Sequence, residues 1–279
     1  MHYIIQENIF KEPHYNLLIE TMDKLNLSYD LVRIFPYVDK ITKLSDIPLD
    51  FDNVEDLPDY VPPAGKIFCF GAIKLARTAS KNGWYPGSMM NENHDYRVYS
   101  QYYKDNLLNY DSEIVTFSTP LTWEEDEVKF IRPAQDTKSF TGKVYEQEDW
   151  EQLVETQLKN TTFLLNSDTA IQVSSPKNIQ KEIRFWVING KVITGSQYRI
   201  GNQTLYDTYY EEEAEIYAQK MVDLYQIADC FVIDVCLVED EWKVVECNCI
   251  NAAGFYLNNI QKMVMELEYF YNPEKFIIN

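Results

Sequence analysis

The run EIRFWVINGKVITGSQYR (182–199) sets Asn189-Gly190 between two stretches in which apolar and polar residues alternate. Asn-Gly is the strongest two-residue signal for a β-hairpin, closed by a type I′ turn. A hairpin closed there opposes Ile188 with Lys191, Trp186 with Ile193, Arg184 with Gly195 and Glu182 with Gln197. Alternation then puts Arg184, Arg199 and Glu182 on one face, and Phe185, Val187, Val192 and Tyr198 on the other. Gly195 across from Arg184 would leave room above the guanidinium. An exposed sheet face carrying ordinary surface charges would have the same pattern.

A second hairpin is read in FVIDVCLVEDEWKVVECN (231–248). A three-residue connection, Glu239-Asp240-Glu241, sets Asp234 directly opposite Glu246, with Asn248 two residues on along the same face. Ile233, Val235, Leu237, Val245, Cys247 and Cys249 then form an opposite, core-facing surface. Carboxylates opposed on adjacent strands have Cβ atoms about 5 Å apart, and like charges so placed are destabilising. Aspartate is also disfavoured within strands. A hard divalent cation would neutralise the pair, and Asn248 would add a third oxygen ligand. A shared proton or a lysine partner would also neutralise it, and a two-residue connection would part the two acids onto opposite faces.

The first half reads differently. A short strand (3–6), a helix (13–27), a strand (29–36), an irregular stretch with four prolines (37–65), a strand (66–71) and a helix (72–83) make an α/β pattern with a parallel sheet. A polar helix lies near 96–107. The strand pattern restarts at 128–133, followed by a helix at 148–160, strands at 162–165, 169–173, 181–188, 191–199, 231–238 and 242–249, and a helix near 210–226. Lobes of 1–115, 116–175 and 176–279 follow, the first α/β and the others α+β.

Twenty-five basic against 44 acidic residues give a net charge of −19. That field repels nucleic acid and anionic membrane. Yet segment 129–143 holds Lys129, Arg132, Lys138 and Lys143 against Asp136 alone, and segment 177–199 holds five basic residues against Glu182 alone. Two basic islands in an acidic chain suggest a local anion site, with a phosphorylated small molecule as its natural occupant; lysines solvated on strand edges are the plainer explanation. The distance from Gly195 to Arg199 along a strand, on the order of 13 Å, would span a triphosphate and an attached substrate. Five scattered cysteines and three histidines build neither a disulfide framework nor a zinc knuckle. No apolar run approaches a membrane span, and a cytoplasmic protein is expected.

Taken in order, RPAQDTKSFTGKVY (132–145), the hairpin 182–199 and FVIDVCLVEDEWKVVECNCINAAGFY (231–256) resemble the ATP-grasp superfamily, and within it the small phage and bacterial clade named for one arginine and two lysines. FGAIKLARTASKNGWYPG (70–87) is similar to that clade's pre-ATP-grasp lobe. The resemblance implies two α+β lobes clasping ATP and an ADP-forming ligase that joins a carboxylate to an amine through an acylphosphate. The substrates would be a small molecule or a peptide bearing the carboxylate and an amine acceptor, with a peptide or protein as one candidate target. It implies Mg²⁺ on Asp234, Glu246 and Asn248, and phosphates on Lys138 and Lys143, Lys143 from a loop that Gly142 lets approach closely. Arg184 would neutralise the transferred phosphoryl group, and Arg199 would do likewise or bind the substrate carboxylate. Segment 171–177, with Ser174, stands where the adenine-contacting hinge would be, and Arg132, Glu182 and Asn251 complete the nucleotide set. The departure from other branches is the missing glycine-rich loop: Gly142 is the only glycine between residues 88 and 189. A nucleotide-binding regulatory or immunity-related module without turnover, or a phosphotransferase, would carry the same residues.

Overall fold

The computed structural model describes residues 1–8, 11–35, 38, 40–135, 139–162 and 165–276. The expected strand at 162–165 falls partly, and Lys138 wholly, outside them.

The N-terminal half folds as its apolar runs dictate. Strand β1 (His2–Gln6) is buried along its whole length, helix α1 (Tyr15–Lys24) follows, and β2 (Ser28–Phe35) returns parallel to β1. Strand β3 (Lys40–Lys43) pairs antiparallel with β2, inside the stretch expected to be irregular. Strand β4 (Ile67–Phe70), helix α2 (Ile73–Lys81) and the two-residue β5 (Pro86–Gly87) complete a sheet of order β3-β2-β1-β4-β5. The continuous apolar strands β1 and β4 suit a parallel sheet covered on both faces. Helix α3 (Tyr96–Tyr103) leads out of this lobe.

Two antiparallel sheets follow. The smaller has order β6-β9-β7-β8, from β6 (Glu113–Thr116), β7 (Lys129–Pro133), β8 (Lys143–Tyr145) and β9 (Ala170–Ser174). Helix α4 (Gln147–Lys159) packs on it through Trp150, whose ring lies 5.4 Å from that of Phe117 and 5.3 Å from that of Tyr145. The larger has order β12-β11-β10-β13-β14, from β10 (Lys181–Ile188), β11 (Lys191–Ile200), β12 (Gln203–Asp207), β13 (Cys230–Val238) and β14 (Glu241–Cys249). Helix α5 (Glu212–Leu224) and α3 cover one face, around Phe185, Ile233 and Val244. The other face, at Trp186, Ile188 and Val232, shares one core with Tyr3 and Phe68 of the N-terminal sheet and with helix α6 (Ile260–Tyr271). Residues 96–107, assigned to the first lobe by sequence, thus pack into the core of the large sheet.

Both hairpins form, each with a register that sequence alternation does not foretell. Asn189 and Gly190 both have positive φ, as a type I′ turn requires, and Ile188 pairs with Lys191 as expected. Bulges beyond Val187 and Ile183 then shift the pairing. Arg184 faces Ser196 instead of Gly195, Phe185 faces Gly195, and Glu182 faces Arg199. A Cβ on Gly195 would lie 2.5 Å from the Phe185 ring, so this glycine makes room for an aromatic core residue and not for the guanidinium. The shift also turns Tyr198 onto the face of Arg184, opposite to the expectation.

In the second hairpin the connection has two residues, Glu239 and Asp240, both with positive φ, and Val238 pairs with Glu241. The three-residue connection is therefore wrong. A bulge between Val235 and Asp234 adds the missing residue, Val245, so Asp234 pairs with Glu246 after all. Val245 consequently leaves the core surface and lines a cleft. All five cysteines are buried and reduced; Cys247 joins the α5 side of the core and Cys249 the α6 side.

Candidate active site

The two antiparallel sheets face each other across a cavity of about 910 Å³. Its walls carry six of the residues singled out by sequence: Arg132, Lys143, Glu182, Arg199, Glu246 and Asn248. Arg184 and Asp234 adjoin them, 7% and 1% exposed, in a row that crosses four strands as Ser196, Arg184, Asp234 and Glu246.

Each carboxylate in this row is held by an arginine. Arg184 donates from Nε and Nη2 to the two oxygens of Asp234 at 2.8 and 2.7 Å, the bidentate geometry that guanidinium and carboxylate match best. Glu246 is paired with Arg132, which reaches over from β7 in the opposite sheet, and accepts a 2.8 Å hydrogen bond from Asn248 Nδ2. Arg184 Nη2 stands 4.0 Å from Glu246, between the two acids. The partners proposed for the opposed carboxylates, a shared proton or a lysine, are thus replaced by two arginines.

Burial pushes the carboxyl of Asp234 up to about 6, against the pull of Arg184. Burial acts the same way on Glu246, but Arg132, Asn248 and Arg184 outweigh it and bring Glu246 down to about 2. The opposite directions follow from the partners: two arginines and an amide act on Glu246, and one arginine acts on the fully buried Asp234.

A second cluster adjoins the first. Glu182 accepts from Arg199 Nη1 at 2.6 Å and from the Tyr198 hydroxyl. Arg199 also donates from Nε to the Gly201 carbonyl at 2.7 Å. The Arg184 guanidinium lies 4.8 Å from the Tyr256 ring and 5.8 Å from the Tyr198 ring, two rings that stack on each other at 4.8 Å. Tyr206 stacks on Tyr256 at 5.2 Å. Sequence reasoning missed Tyr198 and Tyr256: the first was assigned to the wrong face, and the second lies in irregular chain with no periodic signal.

Gly142 holds segment 139–143 close to β7. A Cβ there would lie 2.8 Å from Arg132 Cβ, so glycine is what lets the chain approach. Lys143 is exposed on the cavity wall, its Nζ 4.8 Å from the Tyr145 ring centroid.

Two residues expected at the site, Asn251 and Ser174, do not line the cavity. Asn251 is spent on architecture: Nδ2 donates to the carbonyls of Cys69 at 2.7 Å and Gly87 at 3.1 Å, and Oδ1 accepts from the Met89 amide at 2.7 Å. It ties the end of the large sheet to the N-terminal lobe. Ser174 is buried at the end of β9, opposite Phe130 of β7, with no hydrogen-bond partner on its hydroxyl among the described residues.

Among the described residues no group of three or more His, Cys, Asp and Glu side chains could hold a metal ion. The donors present are two carboxylates and the amide oxygen of Asn248, an all-oxygen set that suits a hard cation such as Mg²⁺. Their chemistry fits. Asp234 and Glu246 already neutralise two arginines, so taking up a cation means exchanging those ion pairs.

The model of an ATP-grasp domain family, the third family of the clade named for one arginine and two lysines, matches residues 51–267. The chain belongs to that clade of the ATP-grasp superfamily. Its fold is an ATP-grasp fold, with an N-terminal α/β lobe preceding two α+β lobes. The D-alanine–D-alanine ligase from Bacillus anthracis complexed with ATP is similar in structure, with a TM-score of 0.55 and 14% sequence identity, over 97% of this chain and 93% of that one. The D-alanine–D-alanine ligase from Coxiella burnetii gives a TM-score of 0.56 at 11% identity, over 99% and 97%. The D-alanyl-alanine synthetase A from Vibrio cholerae gives 0.52 at 12%, over 98% and 94%. No curated protein sequence matches it. No helix among the described residues is long and apolar enough to cross a membrane.

Proposed function

We propose that this ATP-grasp protein is an ATP-dependent, ADP-forming ligase that joins a carboxylate to an amine. The carrying observation is the row of Arg184, Asp234 and Glu246, completed by Arg132 and Asn248, at a cavity between two antiparallel sheets. In the reaction, a substrate carboxylate oxygen attacks the γ-phosphorus of ATP and ADP leaves. The amine then attacks the acyl carbon, phosphate leaves, and the amine loses a proton.

The chain contributes positioning and charge. Lys143, brought close by Gly142, and Arg132 face the phosphates from the small sheet; Lys138, the other lysine expected to hold them, lies outside the described residues. Arg184 and Arg199 face them from the large sheet. Asp234, Glu246 and Asn248 would hold Mg²⁺, which would supply neutralisation of the charge on the phosphates. Arg184 and Arg132, held at the two carboxylates, would supply positive charge to the transferred phosphoryl group. Glu182 orients Arg199, and Tyr198 and Tyr256 fix the plane of the Arg184 guanidinium.

The same fold in D-alanine–D-alanine ligases supports this reading, as does the absence from the sequence of the GxxxxGK(S/T) and GxGxxG nucleotide signatures. The test is release of ADP from Mg·ATP with pooled carboxylates, amines and peptides, with Glu246→Gln as the blank. ADP release that depends on both a carboxylate and an amine supports the ligase. Saturable ATP binding with no ADP release leaves a binding module, and a stable phosphorylated product leaves a phosphotransferase.

A further inference from the structure

A second cavity, of about 600 Å³, opens where residues 85–93, between α2 and α3, meet residues 226–229, between α5 and β13, at the end of α6. It shares no lining residue with the cavity between the two antiparallel sheets. Its volume is that of a small-molecule site. Hydrogen bonds hold its walls in place. Asn91 Nδ2 and Asn93 Nδ2 both donate to the Ile227 carbonyl, at 3.1 and 3.0 Å, and the Met89 amide donates to Asn251 Oδ1 at 2.7 Å. The Ile227 carbonyl sets the orientation of the half-buried Asn93 carboxamide, and nothing among the described residues donates to its Oδ1. Asp229 is exposed, and its carboxylate has no hydrogen bond or ion pair among the described residues. Burial and Cys230 raise the pKa of the Tyr271 hydroxyl, and the charge of Asp229 adds to them, so that carboxylate stands toward Tyr271. The ring of Tyr85, 64% exposed, meets Tyr271 edge-on at 6.3 Å. Met89 and Met90 supply adaptable apolar lining. Among the described residues that line the cavity none is lysine, arginine or histidine. Lys66, which donates to the Tyr271 carbonyl at 2.6 Å, is paired with Glu274.

We infer that this second cavity is a ligand site for an aliphatic primary ammonium ion. Such an ion brings three donors and no acceptor, and the cavity offers it two acceptors that serve nothing else, the Asp229 carboxylate and Asn93 Oδ1. The exposed Tyr85 ring attracts a cation through its face. The thioether side chains of Met89 and Met90 suit the alkyl chain that carries the charge. A bare divalent cation takes six or more oxygen ligands, which one carboxylate among methionines and tyrosines does not provide. An anion would meet Asp229 with no basic lining residue to offset it. The site is separate from the nucleotide cavity, so the ligase reading stands or falls without it.

The experiment titrates n-pentylammonium, and 1-pentanol as its neutral counterpart, into the full chain labelled with ¹³C at the methionine methyl groups. The resonances of Met89 and Met90 are assigned with Met89→Leu and Met90→Leu. The ammonium ion should shift these two saturably, with a dissociation constant on the order of 1 mM for so small a ligand, and leave the exposed Met265 in place. 1-Pentanol should bind roughly 10-fold more weakly or less. Asp229→Asn, at an exposed and unpaired position, should weaken the ammonium ion by about 10-fold and leave 1-pentanol unchanged. No saturable shift at Met89 and Met90 overturns the inference, as does equal binding of the alcohol. Shifts of Met265 as large as those of Met89 and Met90 would show only a general attraction of cations to a chain of net charge −19, and also overturn it. So does Asp229→Asn that melts like the unaltered protein and keeps the full affinity. The comparison of amine with alcohol in unaltered protein decides even if the variant does not fold.

Discussion

The pair of Arg184 and Asp234 is the place to test the reasoning about the site. Replacing Arg184 by methionine keeps the length of the side chain and removes the guanidinium. Asp234, 1% exposed, then loses both of its short hydrogen bonds and still faces Glu246 across the ladder. Breaking a buried ion pair by removing one partner costs about 3–5 kcal/mol. At this chain length each kcal/mol shifts the melting temperature by roughly 2 °C, so Arg184→Met should melt about 6–10 °C below the unaltered protein in EDTA. Asp234→Leu added to it removes the stranded charge and the repulsion with Glu246, which keeps Arg132. The double variant should therefore recover most of the loss, because well-packed apolar residues replace buried ion pairs at little cost. Thermal unfolding followed by circular dichroism measures both. A shift below about 2 °C in the single variant, or a double variant no more stable than the single, would refute the claim that this pair is a tightly coupled, desolvated unit.

Gly142→Ala should raise the dissociation constant of Mg·ATP about tenfold by calorimetry and leave the nucleotide-free melting temperature nearly unchanged, because the new Cβ meets Arg132 Cβ and the loop must back away. An unchanged constant would show that the loop does not approach the nucleotide. Asn251→Ala should cost about 2–4 kcal/mol in denaturant unfolding and leave nucleotide affinity alone, since it strands the Met89 amide and two carbonyls; lost affinity at full stability would restore Asn251 to the site. In the N-terminal lobe, burial raises the pKa of Asp30, but hydrogen bonds from Lys43 and Tyr60 and the charges of Lys43 and His2 outweigh it, for a net lowering. The stability it contributes is thus present above the unfolded carboxyl value near 4 and is lost as pH falls below it. Asp30→Asn should flatten the acid limb of a stability–pH curve, and an unaltered limb would count against this pairing.

Much of the site was legible in sequence because strand alternation and turn chemistry act over a few residues. Asn189-Gly190 announces its turn, and the polar identities within two otherwise apolar strands single out Arg184, Asp234 and Glu246. The α/β order of the first half was legible for the same reason, through the apolar runs of β1 and β4. What escaped the reading has non-local causes. Strand β3 exists because β2 offers it an edge, and its four residues have little pattern of their own. Helix α6 was not assigned; its buried side chains complete a core shared with the first lobe.

The bulges show most clearly where local information ends. The sequence by itself determined which chemistry the two hairpins hold: three acids, an amide and two arginines on neighbouring strands. Only the tertiary structure decided how they meet. A bulge changes pairing by one residue and therefore exchanges faces, and whether one forms depends on what packs on either side of the sheet. In β14 the extra residue at Val245 brought Glu246 opposite Asp234 despite a two-residue turn. In β11 the extra residues moved Gly195 into the core and Tyr198 beside Arg184. Arg132 came to Glu246 from the other sheet, a contact across more than 100 positions that no local pattern encodes.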